Sequence, residues 1–302
     1  MIQRMIVGAI LIAAPVAAAT CESLASLKLA NTHIEASQAV EAGAFTPPGA
    51  PPNGPALATY KALHAFCRVA GSIQSSSDSD IQFEVWMPAS GWNGKFEGVG
   101  NGGFAGVIGY AGLAASVSRG YVAASTDTGH RAGGTDAAWA LGHPEKVADF
   151  GYRAIHETTV QGKAIAKAFY GEAPKRSYFN SCSNGGRQAL MEAQRYPADY
   201  DGIIAGAPAN YWTHLLANAI WVVQSTMADS ASYIPASKLP AIESAALAAC
   251  DASDGVKDGV IDSPNLCQFK PATLLCKDGD SDSCLTQPQV KALENLLDAL
   301  AL

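Results

Sequence analysis

The chain has 302 residues, of which 48% are hydrophobic and 16% charged, with a formal net charge of −7. The apolar content excludes a disordered chain, and the length suits one large domain or one domain with an insertion. The acidic balance and the absence of a Lys/Arg run argue against a nucleic-acid partner.

The first residues have the pattern of a signal peptide. Arg4 precedes a short apolar run over residues 5–14, and small residues follow at 17–19. We expect cleavage after Ala19 and a periplasmic or secreted protein with no membrane attachment, since the apolar run is too short to span a bilayer. A lipoprotein signal is the alternative because Cys21 is close to the cut, although Thr20 fits it poorly.

Seven cysteines are consistent with an oxidising compartment, and the odd number leaves one without a partner in this chain. Spacing favours the pairs Cys250–Cys267 and Cys276–Cys284. A third pair, Cys21–Cys67, would hold the N-terminus to the body of the protein. Cys182 is then the unpaired residue.

The middle of the chain alternates predicted strands and helices. Apolar or alternating runs predict strands over residues 81–87, 95–100, 120–125, 176–180 and 201–205. Helical spacing predicts helices over residues 152–170 and 186–196. This order predicts an α/β fold with a mainly parallel sheet and helices on both faces.

One serine lies between a predicted strand and a predicted helix. Ser183 in this position resembles the nucleophile elbow of α/β-hydrolases, and Gly185 fits the second glycine of the G-x-S-x-G pattern. Ser181 replaces the first glycine. The N–H of Asn184 would face a substrate oxygen. A polar turn that caps a helix explains the same residues, and the motif alone does not separate the two interpretations.

Several segments together resemble the tannase and feruloyl esterase family of secreted serine esterases, which includes a hydrolase of mono(2-hydroxyethyl) terephthalate. The resemblance runs from about Cys21 to the end of the chain. It is carried by residues 92–96, 100–106, 125–130, 143–145, 150–156, 178–188 and 200–204.

The resemblance implies roles for individual residues. Ser183 would be the nucleophile, and the N–H groups of Asn184 and Gly103, or alternatively Gly102, would form the oxyanion hole. The Asp and His of the triad would lie in a C-terminal part that this sequence does not contain. Cys182 would pair with a cysteine outside this chain, next to the catalytic His.

The family also implies an organisation and a substrate. Residues 1–19 would be the signal peptide, 20–208 the N-terminal part of an α/β-hydrolase core, and 209–302 part of an inserted lid. The substrates would be small or plant-polymer esters of aromatic acids, of the feruloyl or galloyl type, hydrolysed without an organic cofactor. A chain that ends within the lid would be a fragment or a truncated product.

An acidic loop follows Cys250. It offers carboxylates and main-chain carbonyls in alternation, as hard cations require, but its order is not that of an EF-hand. A solvated acidic loop is the alternative. The resemblance favours a structural Ca²⁺ bound by the side chains of Asp251, Asp254 and Asp258 and the carbonyls of Val256 and Val260.

Three other interpretations are compatible with the residues. Gly98-x-Gly100-x-x-Gly103 with a later Asp127 matches the dinucleotide-binding fingerprint, although NAD is not expected in an exported protein. His130 or His156 could act as a base. The chain could also be an inactive, calcium-stabilised binding module on an esterase fold.

Overall fold

A computed structural model describes residues 19–51, 54, 57–104 and 106–300. The chain forms two compact units that divide between Asn210 and Tyr211. The predicted signal peptide, apart from Ala19, lies outside the described residues. No helix among the described residues is both long and apolar enough to cross a membrane.

The first unit contains a seven-stranded sheet with the order β1-β2-β3-β5-β4-β6-β7. Its strands are β1 Thr32–Val40, β2 Phe66–Ile73, β3 Ile81–Pro88, β4 Lys95–Val99, β5 Val122–Thr126, β6 Arg176–Cys182 and β7 Gly202–Gly206. Strands β5, β4, β6 and β7 are parallel, whereas β1, β2, β3 and β5 pair antiparallel.

The sheet is therefore mixed, and the expectation of a mainly parallel sheet holds only for its second half. That expectation came from the strand–helix alternation over residues 81–205. Strands β1 and β2 precede this stretch, and among the described residues no long crossover helix joins β1, β2 and β3. Residues 89–94 connect β3 to β4 without a helix, and β3 runs antiparallel to β5, the parallel neighbour of β4. Antiparallel pairing is the result because parallel neighbours need such a crossover.

The described residues of the first unit include five α-helices: α1 Leu57–Lys61, α2 Tyr110–Ser118, α3 Pro144–Ala148, α4 Ala154–Tyr170 and α5 Asn184–Arg195. Helices α4 and α5 begin and end within two residues of the predicted bounds. A π-helical turn, Asp149–Arg153, leads into α4. Helix α4 ends at Gly171, whose φ of 78° is a left-handed conformation that glycine adopts without strain.

Both faces of the sheet are covered by apolar side chains, because successive residues of a strand point to opposite faces. In β2 and β3, Phe66 and Trp86 belong to one buried cluster, together with Leu113 of α2. Their neighbours Cys67 and Val85 belong to the other cluster, which includes residues of α4. The sheet is therefore buried on both of its faces in this region.

The second unit is helical, with α6 Trp212–Met227, α7 Leu239–Cys250 and α8 Gln287–Leu300. Leu285, Val290 and Leu293 form its small buried cluster. Two disulfides, Cys250–Cys267 and Cys276–Cys284, close loops within this unit. The first of them contributes about 3 kcal/mol in the chain-entropy model. Cys21–Cys67 joins the start of the first unit to β2.

Candidate active site

Ser183 lies at the single-residue turn between β6 and α5. Its φ of 62° and ψ of −123° place it outside the conformations that a non-glycine residue adopts without strain. The N–H of Ser183 donates to the Gly206 carbonyl at 3.0 Å, and its own carbonyl accepts from Ala209 N at 2.9 Å. Ser183 is exposed. A strained and exposed serine on a strand-to-helix turn has the geometry of a nucleophile elbow.

Two glycines after Ser183 allow α5 to begin close to its neighbours. A Cβ on Gly186 would lie 2.5 Å from the Gly206 carbonyl oxygen and 2.7 Å from Pro208 Cα. A Cβ on Gly185 would lie 2.5 Å from Ser181 Cβ. Both contacts are closer than real Cβ atoms approach, so the start of the helix depends on these glycines.

Ser181 occupies the place where the elbow pattern has a glycine. Its side chain fits because Gly185 on one side and Gly100 on the other have no side chain. A Cβ on Gly100 would lie 2.9 Å from Ser181 Cβ. The imperfect motif is thus compensated by glycines at two other positions.

The glycine-rich loop after β4 leaves the same edge of the sheet as Ser183. Strands β4 and β6 are parallel neighbours, with Val99 opposite Asn180. Phe104 N donates to the Gly134 carbonyl at 2.9 Å, which holds the end of the loop, and Gly103 has a φ of 58°. Within the described residues, the N–H groups of Gly102 and Gly103 have no hydrogen-bond acceptor. These donors remain available to a ligand.

The first turn of α5 is held by a buried arginine that the sequence analysis missed. Arg187 Nε donates to Asn184 Oδ1 at 2.7 Å, and its other nitrogens donate to the carbonyls of Phe150 and Gly151 at 3.0 and 2.8 Å. Burial lowers the pKa of Arg187 to about 10, so it stays charged at neutral pH. Its charge and the helix N-terminus both favour an anion near Ser183.

The histidines that the sequence offered as alternative bases have other partners. His130 is buried, its Nε2 lies 2.7 Å from the Phe104 carbonyl, and burial lowers its pKa. His156 Nδ1 lies 2.6 Å from Asp199 Oδ2, and its ring stacks on Tyr196. In the described part of the first unit, no histidine is hydrogen bonded to Ser183. The structure therefore gives no support to a base role for His130 or His156.

Next to His156, Glu192 is fully buried and neither of its carboxylate oxygens has a hydrogen-bond partner in the described residues. Burial first, and then the neighbouring Asp199 carboxylate, raise the pKa of Glu192 to about 8. Glu192 therefore keeps its proton at neutral pH. Two acidic side chains can lie side by side here because one of them is uncharged.

The raised pKa of Glu192 predicts a pH dependence of stability. The folded protein binds this proton more tightly than the unfolded chain, so the stabilisation is complete below about pH 4.5 and is lost as the pH rises through about 8. We expect the melting temperature of wild type to fall relative to that of Glu192→Gln over this window. Thermal melts from pH 4 to 9 measure it, with the exposed Glu172→Gln as control. Parallel curves for wild type and Glu192→Gln would contradict the assignment.

The dinucleotide interpretation does not hold. Gly98 lies inside β4, where a Cβ would be 2.9 Å from a ring carbon of Phe179, and no helix begins directly after the glycine loop, since α2 starts at Tyr110. Asp127 is 3% exposed, and its Oδ1 accepts from the N–H groups of Gln82 and Gly129, both at 2.9 Å. Burial raises the pKa of Asp127 to about 7. This carboxylate therefore fixes the backbone at β3 and at the turn after β5.

The acidic loop of the second unit curls around Asp251. Asp251 Oδ1 accepts from the N–H groups of Asp258 and Gly259 at 3.1 and 3.0 Å, and Asp254 Oδ1 accepts from Val256 N at 2.9 Å. The donor set, carboxylates with main-chain carbonyls, fits the chemistry of Ca²⁺. Among the described residues, however, these three carboxylates do not converge within 4.8 Å of one another.

Cys182 precedes Ser183 directly and is exposed, with no disulfide among the described residues. Its expected pairing with a cysteine outside this chain stays a prediction.

Comparison with known proteins identifies the family to which this sequence belongs. The sequence profile described as "Tannase and feruloyl esterase" matches residues 67–302. The chain belongs to this family. An uncharacterized esterase of Xanthomonas campestris pv. campestris is 47% identical over 291 residues, which cover 96% of this chain and 49% of that protein. A probable feruloyl esterase B of Aspergillus clavatus is 35% identical over 279 residues, 91% of this chain and 52% of that protein.

Solved structures of the family have the same fold. Feruloyl esterase B from Aspergillus oryzae superposes with a TM-score of 0.78 at 33% identity, covering 91% of this chain and 54% of that one. Tannin acyl hydrolase from Aspergillus niger, at 24% identity and a TM-score of 0.62, covers 89% and 52%. The α/β-hydrolase fold expected from the sequence is confirmed. The chain spans about half the length of these relatives.

Proposed function

We propose that this protein is a carboxylic ester hydrolase that acts on esters of aromatic acids through an acyl-enzyme on Ser183. The observation that carries the proposal is the strained, exposed Ser183 at the start of α5. The names of the relatives, feruloyl esterase and tannin acyl hydrolase, support aromatic-acid esters as the substrate class.

In the proposed reaction, Ser183 Oγ attacks the ester carbonyl carbon while its proton passes to a base. The oxyanion of the tetrahedral intermediate accepts hydrogen bonds from the N–H groups of Asn184 and Gly103, with Gly102 as the alternative donor. Collapse of the intermediate breaks the bond to the alcohol oxygen, which leaves with a proton. Water then attacks the acyl-enzyme, releases the acid and restores Ser183.

The base and its carboxylate partner are assigned to residues outside these 302. The histidine contacts of the first unit support this, because His130 and His156 are engaged elsewhere. Pairing of Cys182 with a cysteine beside that base would hold nucleophile and base together. Experiments on activity accordingly use the full-length protein, meaning these residues with any that follow Leu302 in the natural protein.

Hydrolysis of methyl ferulate and methyl gallate by the full-length protein tests the proposal. We expect the full-length protein to release the free acid from at least one of these esters, as measured by chromatography. The rate of release should be well above that of the Ser183→Ala variant. A folded full-length protein that hydrolyses neither ester would contradict the proposed substrate class.

A structural Ca²⁺ in the acidic loop is the second part of the proposal. Asp251, Asp254 and Asp258 would bind it by their side chains, and Val256 and Val260 by their carbonyls. We expect EGTA to lower the melting temperature and added Ca²⁺ to restore it, because a ligand that binds only the folded state stabilises it. Asp251→Asn should abolish the response, whereas Asp229→Asn, outside the loop, should keep it. An unchanged melting temperature in EGTA would remove the calcium site.

Export of the protein from the cytoplasm is the third part of the proposal. A cleaved signal peptide over residues 1–19 would place the protein in the periplasm or outside the cell, where its three disulfides are stable. N-terminal sequencing of the natural protein would show Thr20 as the first residue.

A further inference from the structure

The glycine loop and the helix that follows Ser183 are joined by two side-chain amides. Asn101 lies in the loop and Gln188 on α5, and they are 7% and 2% exposed. Asn101 N donates to Gln188 Oε1 at 3.0 Å, and Gln188 Nε2 donates to Asn101 Oδ1 at 3.0 Å. These two residues are called the amide pair below.

Further hydrogen bonds fix the orientation of the amide pair. Asn101 Nδ2 donates to the carbonyls of Val107 and Thr126, both at 2.8 Å. Reversing the Asn101 amide would set its oxygen against two carbonyl oxygens. Reversing the Gln188 amide would set its NH₂ group against the Asn101 N–H. Only one orientation of each amide is compatible with these four hydrogen bonds.

The amide pair also requires close approach of the two backbones. A Cβ on Gly100 would lie 2.6 Å from Gln188 Oε1, so the residue before Asn101 must be glycine. A Cβ on Gly185 would lie 3.3 Å from the Asn101 carbonyl oxygen. The loop therefore rests on the first turns of α5, close to the helix start at Asn184.

We propose that Asn101 and Gln188 are positioning residues that hold the N–H groups of the glycine loop in register with the N–H of Asn184, so that both can stabilise one oxyanion. This inference rests on the proposed function. Oxyanion stabilisation depends on donors that are fixed before charge develops, and displacing one donor costs much of its effect. The amide pair is buried and bonded on both sides, so it can supply that fixation across the 87 residues between loop and helix.

The test is Gln188→Met in the full-length protein. Methionine has nearly the length of glutamine but can neither donate to Asn101 Oδ1 nor accept from Asn101 N as the amide does, so the loop is no longer held on α5. We expect kcat to fall about 10- to 100-fold with little change in KM, because the oxyanion forms only after substrate binding. Gln194→Met, a change at an exposed glutamine on the same helix, is the matched control and should keep wild-type kinetics.

A second measurement separates positioning from general support of the fold. A thionoester places sulfur, a poor hydrogen-bond acceptor, where the oxyanion would form. We expect the ratio of kcat/KM for ester to that for thionoester to fall about 10-fold in Gln188→Met, because the preference for oxygen comes from the oxyanion donors. Where Gln188→Met does not fold, Gln188→Leu is measured in the same way.

The outcomes of these measurements distinguish the two proposals. A folded Gln188 variant with wild-type kcat and a wild-type ester-to-thionoester ratio would overturn the positioning role, even with a lowered melting temperature. If Ser183→Ala keeps wild-type activity, the proposed function itself fails.

Discussion

Ser183→Ala in the full-length protein is expected to lower kcat by about 10⁴- to 10⁶-fold, because loss of the nucleophile leaves only binding and oxyanion stabilisation. KM should change little. Initial rates on an aromatic-acid ester measure the effect, with the exposed Ser118→Ala as the matched control. Retention of more than about a tenth of the wild-type rate would be incompatible with an acyl-enzyme on Ser183.

The same position should show a conflict between stability and function. Ser183 has a positive φ, so its backbone conformation is strained and glycine would relieve that strain. Ser183→Gly should therefore be as inactive as Ser183→Ala and yet melt at a higher temperature than that variant. A Ser183→Gly protein that melts below Ser183→Ala would show that the elbow is not strained.

The second large effect concerns the glycines at the start of α5. Gly186→Ala would drive a methyl group into the Gly206 carbonyl and the Pro208 backbone, which cannot move away separately from β7 and the turn after it. We expect a loss of about 3 kcal/mol in the free energy of unfolding, measured with urea. Gly185→Ala should cost a similar amount, because its methyl group would meet the Ser181 side chain.

Ser181→Gly provides a matched test of this packing. In the double variant Ser181→Gly/Gly185→Ala the clash disappears, and most of the lost stability should return. The same Ser181→Gly change should not rescue Gly186→Ala, whose clash is with backbone. Equal rescue of both variants, or of neither, would contradict the packing around the elbow.

Much of the first unit could be predicted from the sequence. Strands β3 to β7 and helices α4 and α5 have strong apolar patterns and clear turn residues, so their existence followed from local chemistry. Strands β1 and β2 were missed, and with them two of the three antiparallel pairings of the sheet. Helix α2 was missed as well. Its short run of small residues, Tyr110–Ser118, carries little amphipathic pattern of its own.

The site could be predicted only where its residues are adjacent in the chain. Ser183, Asn184 and Gly185 stand in one turn, and the motif identified them together. The amide pair of Asn101 and Gln188 joins segments 87 residues apart, and two amides carry no sequence signal of their partnership. Arg187 donates to the main-chain carbonyls of Phe150 and Gly151, so no pairing of opposite charges in the sequence indicated its role.

For the acidic loop, the sequence predicts a kind of ligand but not whether the ligand is bound. Its composition indicated a cation site, and its backbone curls around Asp251. Asp254 and Asp258 accept from N–H groups two residues on, which are contacts that an acidic turn makes with or without a cation. Composition therefore predicts the kind of ligand, whereas only a binding measurement tests its presence.

The central claim, that Ser183 is the nucleophile of an esterase, is tested most directly by labelling the full-length protein with a fluorophosphonate and mapping the adduct by peptide mass spectrometry. The account predicts one adduct, on Ser183, and loss of ester hydrolysis in proportion to labelling. Full labelling of another residue, or ester hydrolysis that continues after Ser183 is fully labelled, would contradict it.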